Sequence, residues 1–300
     1  MYSEPTMTEI GLLTSLIDSE TFTAAHLTTP WERCLQFASR AYEGDEIDQA
    51  ITKAAREHGF SNIVLVDEED NPRGYVSTEE ASAGRLAGSD ISLTSDCTLH
   101  SHERMSSVAK RMASEHGRRC RLYFIFGSDR VTGIATYADF NRKVGYLYTY
   151  SLILALEHWV KSKIMSTIPP TQSSLSNPLW LTALSRQHVG NPRRRVTRDQ
   201  QLITLATAQN ENCLDLCYLK ELLALLDAPQ FTALRSKIPS VTLSLANHFR
   251  TRAAHPTKLL IPNYSTWSEL EDLAEFWDRT AQFVKRENID NEKNRSRSSL

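Results

Sequence analysis

Two spacings in this chain could do chemistry. In ANHFRTRAAHPTKLLIP (246–262), Arg250 and His255 stand five residues apart and Pro256 follows the histidine. A guanidinium stays charged and offers fixed donors to phosphoryl oxygens, while an imidazole titrates near neutrality and can remove a hydroxyl proton. The pair is either a catalytic set, with the histidine as base and the arginine stabilising developing charge, or a basic turn at the end of a helix. Pro256 disfavours helix at His255, which predicts a helix end there. At about 100° per residue, five residues leave the two side chains far from one face. Convergence therefore needs a loosened last turn or a second copy of the chain. Arg252, three residues from His255, would share its face more readily. Glu157 interrupts the apolar run YLYTYSLILALEHWV (146–160) and is either an inward-facing partner for Arg250 or an exposed helix acid.

The second spacing occurs twice, as STEE with Ser77 and Glu80, and as TYAD with Thr136 and Asp139. Ser/Thr-x-x-Asp/Glu at a helix start is a capping box, in which hydroxyl and carboxylate satisfy backbone donors reciprocally. That suffices to explain the four residues. A helix start after a glycine turn can also receive an anion, and a hydroxyl with a carboxylate could meet the phosphate and ribose of a nucleotide.

The elements that must position these groups form a repeat. SNIVLVDEEDNPRGYVSTEEA (61–81) and RLYFIFGSDRVTGIATYADF (121–140) each read as strand, polar turn, second strand at a glycine, then helix start. Gly74 aligns with Gly133, Ser77 with Thr136 and Glu80 with Asp139. Helix-like segments precede them at 46–59 and 100–117, and neither copy buries its sheet alone, so the two must pack together. From Gly145 the texture turns helical, with helices expected over 146–165, 213–228, 241–255 and 265–287 and a break and restart over 166–187, capped at Ser176 or Asn177. GNPRRRVTRDQQ (190–201) is the densest basic run; it is a solvated loop, or the place where Arg193, Arg194 and Arg195 would meet phosphates if the bundle handles RNA. NIDNEKNRSRSSL (288–300) is polar and aperiodic, which predicts a disordered tail.

Bulk properties bound the rest. The 300 residues exceed one average domain, and 41% hydrophobic with 23% charged residues is a globular balance. A net charge of −2 argues against a uniformly basic nucleic-acid binder. Five scattered cysteines without a CxxC suit a reducing cytosol, with Cys213 and Cys217 as core thiols at helical spacing. The acidic N-terminus does not read as a signal peptide, and the most apolar run is too short for a membrane span, so a cytoplasmic protein is expected. His100, His102 and His158 read as surface histidines rather than metal ligands.

YFIFGSDRVTGIATYADF resembles the second half of a CBS domain, and the copy around Gly74 resembles a more degenerate first one. The resemblance implies a tandem CBS pair, or Bateman module, that takes an adenosine-containing ligand between its copies. Thr136 and Asp139 match the ligand-contacting positions closely; at Ser77 and Glu80 the match is looser, since Glu80 replaces the usual Asp. A helical bundle with Arg-x4-His and a following proline resembles the HEPN family, many of whose members are metal-independent ribonucleases, although Thr251 departs from the more frequent polar amide. The two resemblances imply an α+β N-terminal tandem CBS module followed by an all-α, HEPN-like bundle. The expected boundaries are an extension over 1–29, the CBS pair over 30–143, the bundle over 144–287 and the tail. On this reading the chain is a homodimeric, nucleotide-regulated endoribonuclease that needs no catalytic cofactor, with Arg250, His255 and Glu157 catalytic and Arg193, Arg194, Arg195 and Arg252 on RNA. Such a protein would act as a toxin or phage-defence effector. The competing expectation is a non-catalytic nucleotide-sensing and interaction protein in which Arg250 and His255 are structural or only bind RNA.

Overall fold

A computed structural model of the chain describes residues 22–40, 48–82, 91–167, 204, 214, 217–255, 258–261 and 267–298. Ser176, Asn177 and the basic run 190–201 lie outside these residues. The described residues divide into an α/β unit, 22–147 with 258–261 and 267–275, and a helical unit, formed chiefly by 148–167, 217–255 and 276–298.

Two hairpins organise the α/β unit. Strands β1 (Thr29–Pro30), β2 (Asn62–Val66), β3 (Pro72–Ser77), β4 (Ile91–Ser92), β5 (Thr98–His100), β6 (Tyr123–Phe126) and β7 (Val131–Ala135) form two sheets, ordered β1-β7-β6-β5 and β2-β3-β4. Helices α1 (Ala24–Leu27), α2 (Trp31–Leu35), α3 (Gln49–Glu57), α4 (Thr78–Ser82) and α5 (Met105–Ala113) lie among them in the chain. The repeat read from the sequence is kept in the hairpin register. Leu65 opposes Gly74 as Ile125 opposes Gly133, and in each hairpin the register shifts one residue later. The outer pairings correspond as well, since Ser39 bridges Leu65 in parallel just as Leu99 pairs with Ile125 in parallel.

Each sheet is finished by a strand that precedes the other repeat. β1, ahead of the first repeat, pairs antiparallel with β7 of the second, with Thr29 opposite Ile134 and Pro30 opposite Gly133. β4, ahead of the second repeat, pairs with β3 of the first. Gly133 is required by this approach rather than by its own dihedrals, because a Cβ there would collide with the Thr29 carbonyl and the Thr28 methyl. The continuous apolar run of β2 has the same explanation. Ile63 and Leu65 pack with Val76, Ala55 and Ala81, the last two from α3 and α4, whereas Val64, Val66 and Tyr75 pack with Leu122, Phe124 and Val131 of the other repeat. A strand buried on both faces has no polar alternation to show.

Two expected boundaries move. The segment set aside as an extension over 1–29 contributes Ala24 and Leu27 to the core and Thr29 to a sheet, because β7 needs an edge partner. Residues 258–261 and 267–275, expected in the bundle, belong to the α/β unit. Asn141 Nδ2 donates to Ile261 O (3.0 Å) and accepts from Ile261 N through Oδ1 (2.9 Å), Tyr146 Oη donates to Lys258 O (2.6 Å), and Arg118 pairs with Glu271.

The helical unit draws on α6 (Lys143–Thr167), α7 (Leu219–Leu225), α8 (Thr232–Arg235), α9 (Ser240–Ala253) and α10 (Trp267–Ser298). The opening residues of α6 and α10 fall in the α/β unit. Leu152, Leu156, Val160, Leu222, Phe249, Phe276 and Trp277 are buried, and the polar groups among them are matched. Trp277 Nε1 donates to Thr149 Oγ1 (2.9 Å), Trp159 Nε1 to Glu287 (3.2 Å), and the Thr242 and Thr280 hydroxyls meet at 3.2 Å. The tail expected to be disordered from 288 is helical through Ser298, since no Gly or Pro interrupts α10 and a polar sequence alone does not end a helix.

Candidate functional site

The two Ser/Thr-x-x-Asp/Glu turns sit at equivalent ends of β3 and β7 and share one local arrangement. Ser77 donates to Glu80 Oε2 through Oγ (2.6 Å) and N (3.3 Å), and Glu80 N returns a bond to Ser77 Oγ (3.1 Å). Thr136 donates to Asp139 Oδ2 through N (2.6 Å) and Oγ1 (3.0 Å). Both are the capping arrangement that the sequence predicts.

Their surroundings differ. Glu80 is exposed, and its Oε1 accepts no hydrogen bond among the described residues. Asp139 is buried, and its second oxygen Oδ1 lies 2.7 Å from Arg142 Nε. Arg142 also donates to Thr28 O (3.1 Å) and to Thr29 Oγ1, so one guanidinium ties the second turn to the strand arriving from before the first repeat. Burial pushes the Asp139 carboxyl above the ordinary carboxylate value, against the opposing pull of Arg142 and of the bonds from Thr136. Next to it Cys34 is buried, its thiol directed at Pro30 O (3.2 Å); burial first, and the Asp139 charge second, push that thiol up to about 12. The role of Arg142 has no signal in the sequence beyond its place three residues after Asp139. The first repeat carries Ala83 at that place.

The structure also joins Cys97 and Cys120 in a disulfide, with Cα atoms 5.6 Å apart, where the sequence reading expects scattered free thiols. Their separation of 23 residues carries no motif; β5 and β6 running in parallel bring their neighbourhoods together. Cys34 and Cys217 are buried and lie outside that disulfide.

In the helical unit, Arg250 and Glu157 meet. Arg250 Nε lies 3.6 Å from Glu157 Oε1, and the guanidinium sits 4.8 Å from the centre of the Tyr218 ring. The same Glu157 oxygen accepts from Leu219 N (2.8 Å), the first amide of α7, so this carboxylate satisfies a backbone donor at a helix start. His255 lies beyond the end of α9, exposed, with its amide donating to Arg252 O (3.2 Å). Among the described residues no side-chain hydrogen bond or ion pair joins it to Arg250. Because α9 ends at Ala253, His255 lies off the helix that carries Arg250. Arg252 is half-buried, and Arg193, Arg194 and Arg195 lie outside the described residues.

Among the described residues no group of three His, Cys, Asp or Glu side chains could hold a metal ion. The His100 and His102 rings stack on each other at 5.4 Å. None of the described helices is long and apolar enough to cross a membrane.

No family model matches the chain, and no curated protein matches it. Among solved structures it is similar to an uncharacterized conserved protein from Pyrococcus horikoshii, at 15% identity over 41% of this chain and 90% of that one, with a TM-score of 0.29. It is similar to the CBS domain of a bacterial CNNM/CorC family Mg2+ transporter in complex with ATP, at 13% identity over 45% of this chain and 94% of that one, TM-score 0.31. A third, CBSX2 in complex with AMP, is 15% identical over 39% of this chain and 92% of that one, TM-score 0.30.

Proposed function

We propose that the α/β unit is a tandem CBS module that senses an adenine nucleotide. The observation that carries this reading is the pair of matched hairpins, each ending in a hydroxyl–carboxylate turn and each completed by the other repeat's leading strand. A carboxylate can accept both hydroxyls of a ribose, and a neighbouring hydroxyl can donate to an α-phosphate. Two such turns in one fold, held by strands exchanged between the repeats, suit a ligand that reports on the packing of the pair. A thermal-shift series with AMP, ADP and ATP tests it, since a ligand that binds only the folded state raises the midpoint with concentration. A concentration-dependent rise for at least one nucleotide is expected. A flat response to all three removes the reading.

A second proposal concerns the helical unit. Arg250 beside Glu157, with an exposed His255 at the end of the same helix, supports metal-independent RNA cleavage completed across a homodimer, under control of the nucleotide. The pairing of Arg250 with Glu157 and Tyr218 equally suits a structural arginine. Arg250→Ala and His255→Ala separate the two. RNA cleavage in EDTA that both variants lose while remaining folded supports the enzyme, and cleavage unchanged in both supports the structural role.

A further inference from the structure

The two turns have the same local bonds and opposite availability, and one residue makes the difference. Asp139 has both carboxylate oxygens engaged, Oδ2 by Thr136 and Oδ1 by Arg142 at 2.7 Å, and it is buried. A ribose diol arriving there must replace a charge-assisted bond made by a fork that is also held by Thr28 O and Thr29 Oγ1. Glu80 needs no such exchange. It is exposed, its Oε2 is used locally by Ser77, and its Oε1 accepts no hydrogen bond among the described residues. The corresponding position after Glu80 is Ala83, which carries no donor to play the part of Arg142.

We propose that Arg142 acts as a built-in occupant of the second turn, closing it to ribose and leaving the Ser77–Glu80 turn as the one of the two that takes a nucleotide. The inference rests on the nucleotide-sensing reading. It reverses the order that sequence likeness alone suggests, because Asp139 matches the family pattern better than Glu80 yet is already satisfied from within. It also gives Arg142 a second task. The same guanidinium fastens β1 against the second repeat, so drawing it off Asp139 loosens the strand that the first repeat's approach segment supplies.

Calorimetric titration of the full chain with AMP tests this, together with hydrogen exchange of the unliganded proteins. Wild type is expected to bind one AMP per chain, and Glu80→Gln to lose at least tenfold in affinity. Arg142→Ala is expected to bind two, and Arg142→Ala with Asp139→Asn to return to one. Without any nucleotide, Arg142→Ala should also exchange faster at the amides of Thr29 and Ile134. One-site binding in both wild type and Arg142→Ala, with exchange unchanged, overturns the inference and leaves the sensing reading standing. Two sites in wild type overturns it as well. No AMP binding by any variant, Arg142→Ala included, removes the sensing reading and the inference with it. Should Arg142→Ala fail to fold, Arg142→Lys keeps the charge without the fork. Partial occupancy of a second site is then expected, and binding identical to wild type counts against the inference.

Discussion

The turn ending β3 and the turn ending β7 were built from one pattern and have come apart in a single respect. Around Ser77 and Glu80 the hydrogen bonds close within four residues, and the carboxylate looks outward. Around Thr136 and Asp139 they extend through Arg142 to a strand more than a hundred residues earlier. A capping box therefore says little by itself about whether its carboxylate is available. The next charged residue, and what the chain brings beside it, decides that.

The largest effect should come from what the two repeats share. Phe124 is fully buried in the cluster that joins Val64 and Tyr75 of the first repeat to Leu122 and Val131 of the second. Phe124→Ala should cost about 3–5 kcal/mol, read by urea denaturation, and should lower amide protection in both hairpins together. Loss confined to β6 and β7 would mean that the repeats fold separately and that comparing their turns compares two domains. The control is Ile63→Ala, in the cluster confined to the first repeat, at about 2–4 kcal/mol.

Next in size is the difference between the carboxylates themselves. Asp139→Ala leaves two donors of the half-buried Thr136 without their acceptor and takes one partner from the exposed Arg142, and should cost about 1–3 kcal/mol. Glu80→Ala removes an exposed cap and should cost about 0.5–1 kcal/mol. Equal costs by chemical denaturation would erase the asymmetry on which the assignment of the open site depends.

How far the sequence foretells this depends on the range of each interaction. The hairpins, their register and both capping boxes are legible because they are closed within some twenty residues: apolar runs, a polar turn, a glycine, a hydroxyl and an acid at fixed offsets. Glu157 interrupting an apolar helix reads equally as an inward acid or an exposed one, and only the structure places it beside Arg250. The exchanged strands are not legible, since β1 is two residues long and means nothing without β7 beside it. For the same reason the sequence sets Thr29 aside as extension and leaves Arg142 without a role. The allocation of 258–261 and 267–275 to the α/β unit is hidden too, because backbone bonds to Asn141 and Tyr146 leave no side-chain pattern of their own.

A smaller effect separates the turns by pH. Burial holds the folded Asp139 carboxyl above its ordinary value of 3.8. The folded state then binds that proton more tightly than the unfolded state, so its contribution to stability declines as pH rises from 3.8 through the folded value, and the loss persists above it. Subtracting the stability profile of Asp139→Asn from that of wild type should isolate a negative slope in that acidic window. A positive slope would mean that Arg142 outweighs burial and that the pair is a net stabiliser of the charged acid.

The finest test reads the same charge from its neighbour. Cys34, with its thiol pushed up to about 12, should be almost wholly protonated in the folded chain, about one thiolate in ten thousand near pH 8. Alkylation by iodoacetamide, followed at Cys34 by peptide mass spectrometry, should be slow until the chain unfolds. Asp139→Asn removes the negative charge that helps to raise this thiol and leaves Arg142, which lowers it, unopposed. Both changes favour the thiolate, so the variant should react about two- to fivefold faster. No change in rate, with protection of the surrounding amides intact, would place the Asp139 charge too far from the thiol to act on it, and would loosen the packing of α2, β1 and the second turn on which the Arg142 lock depends.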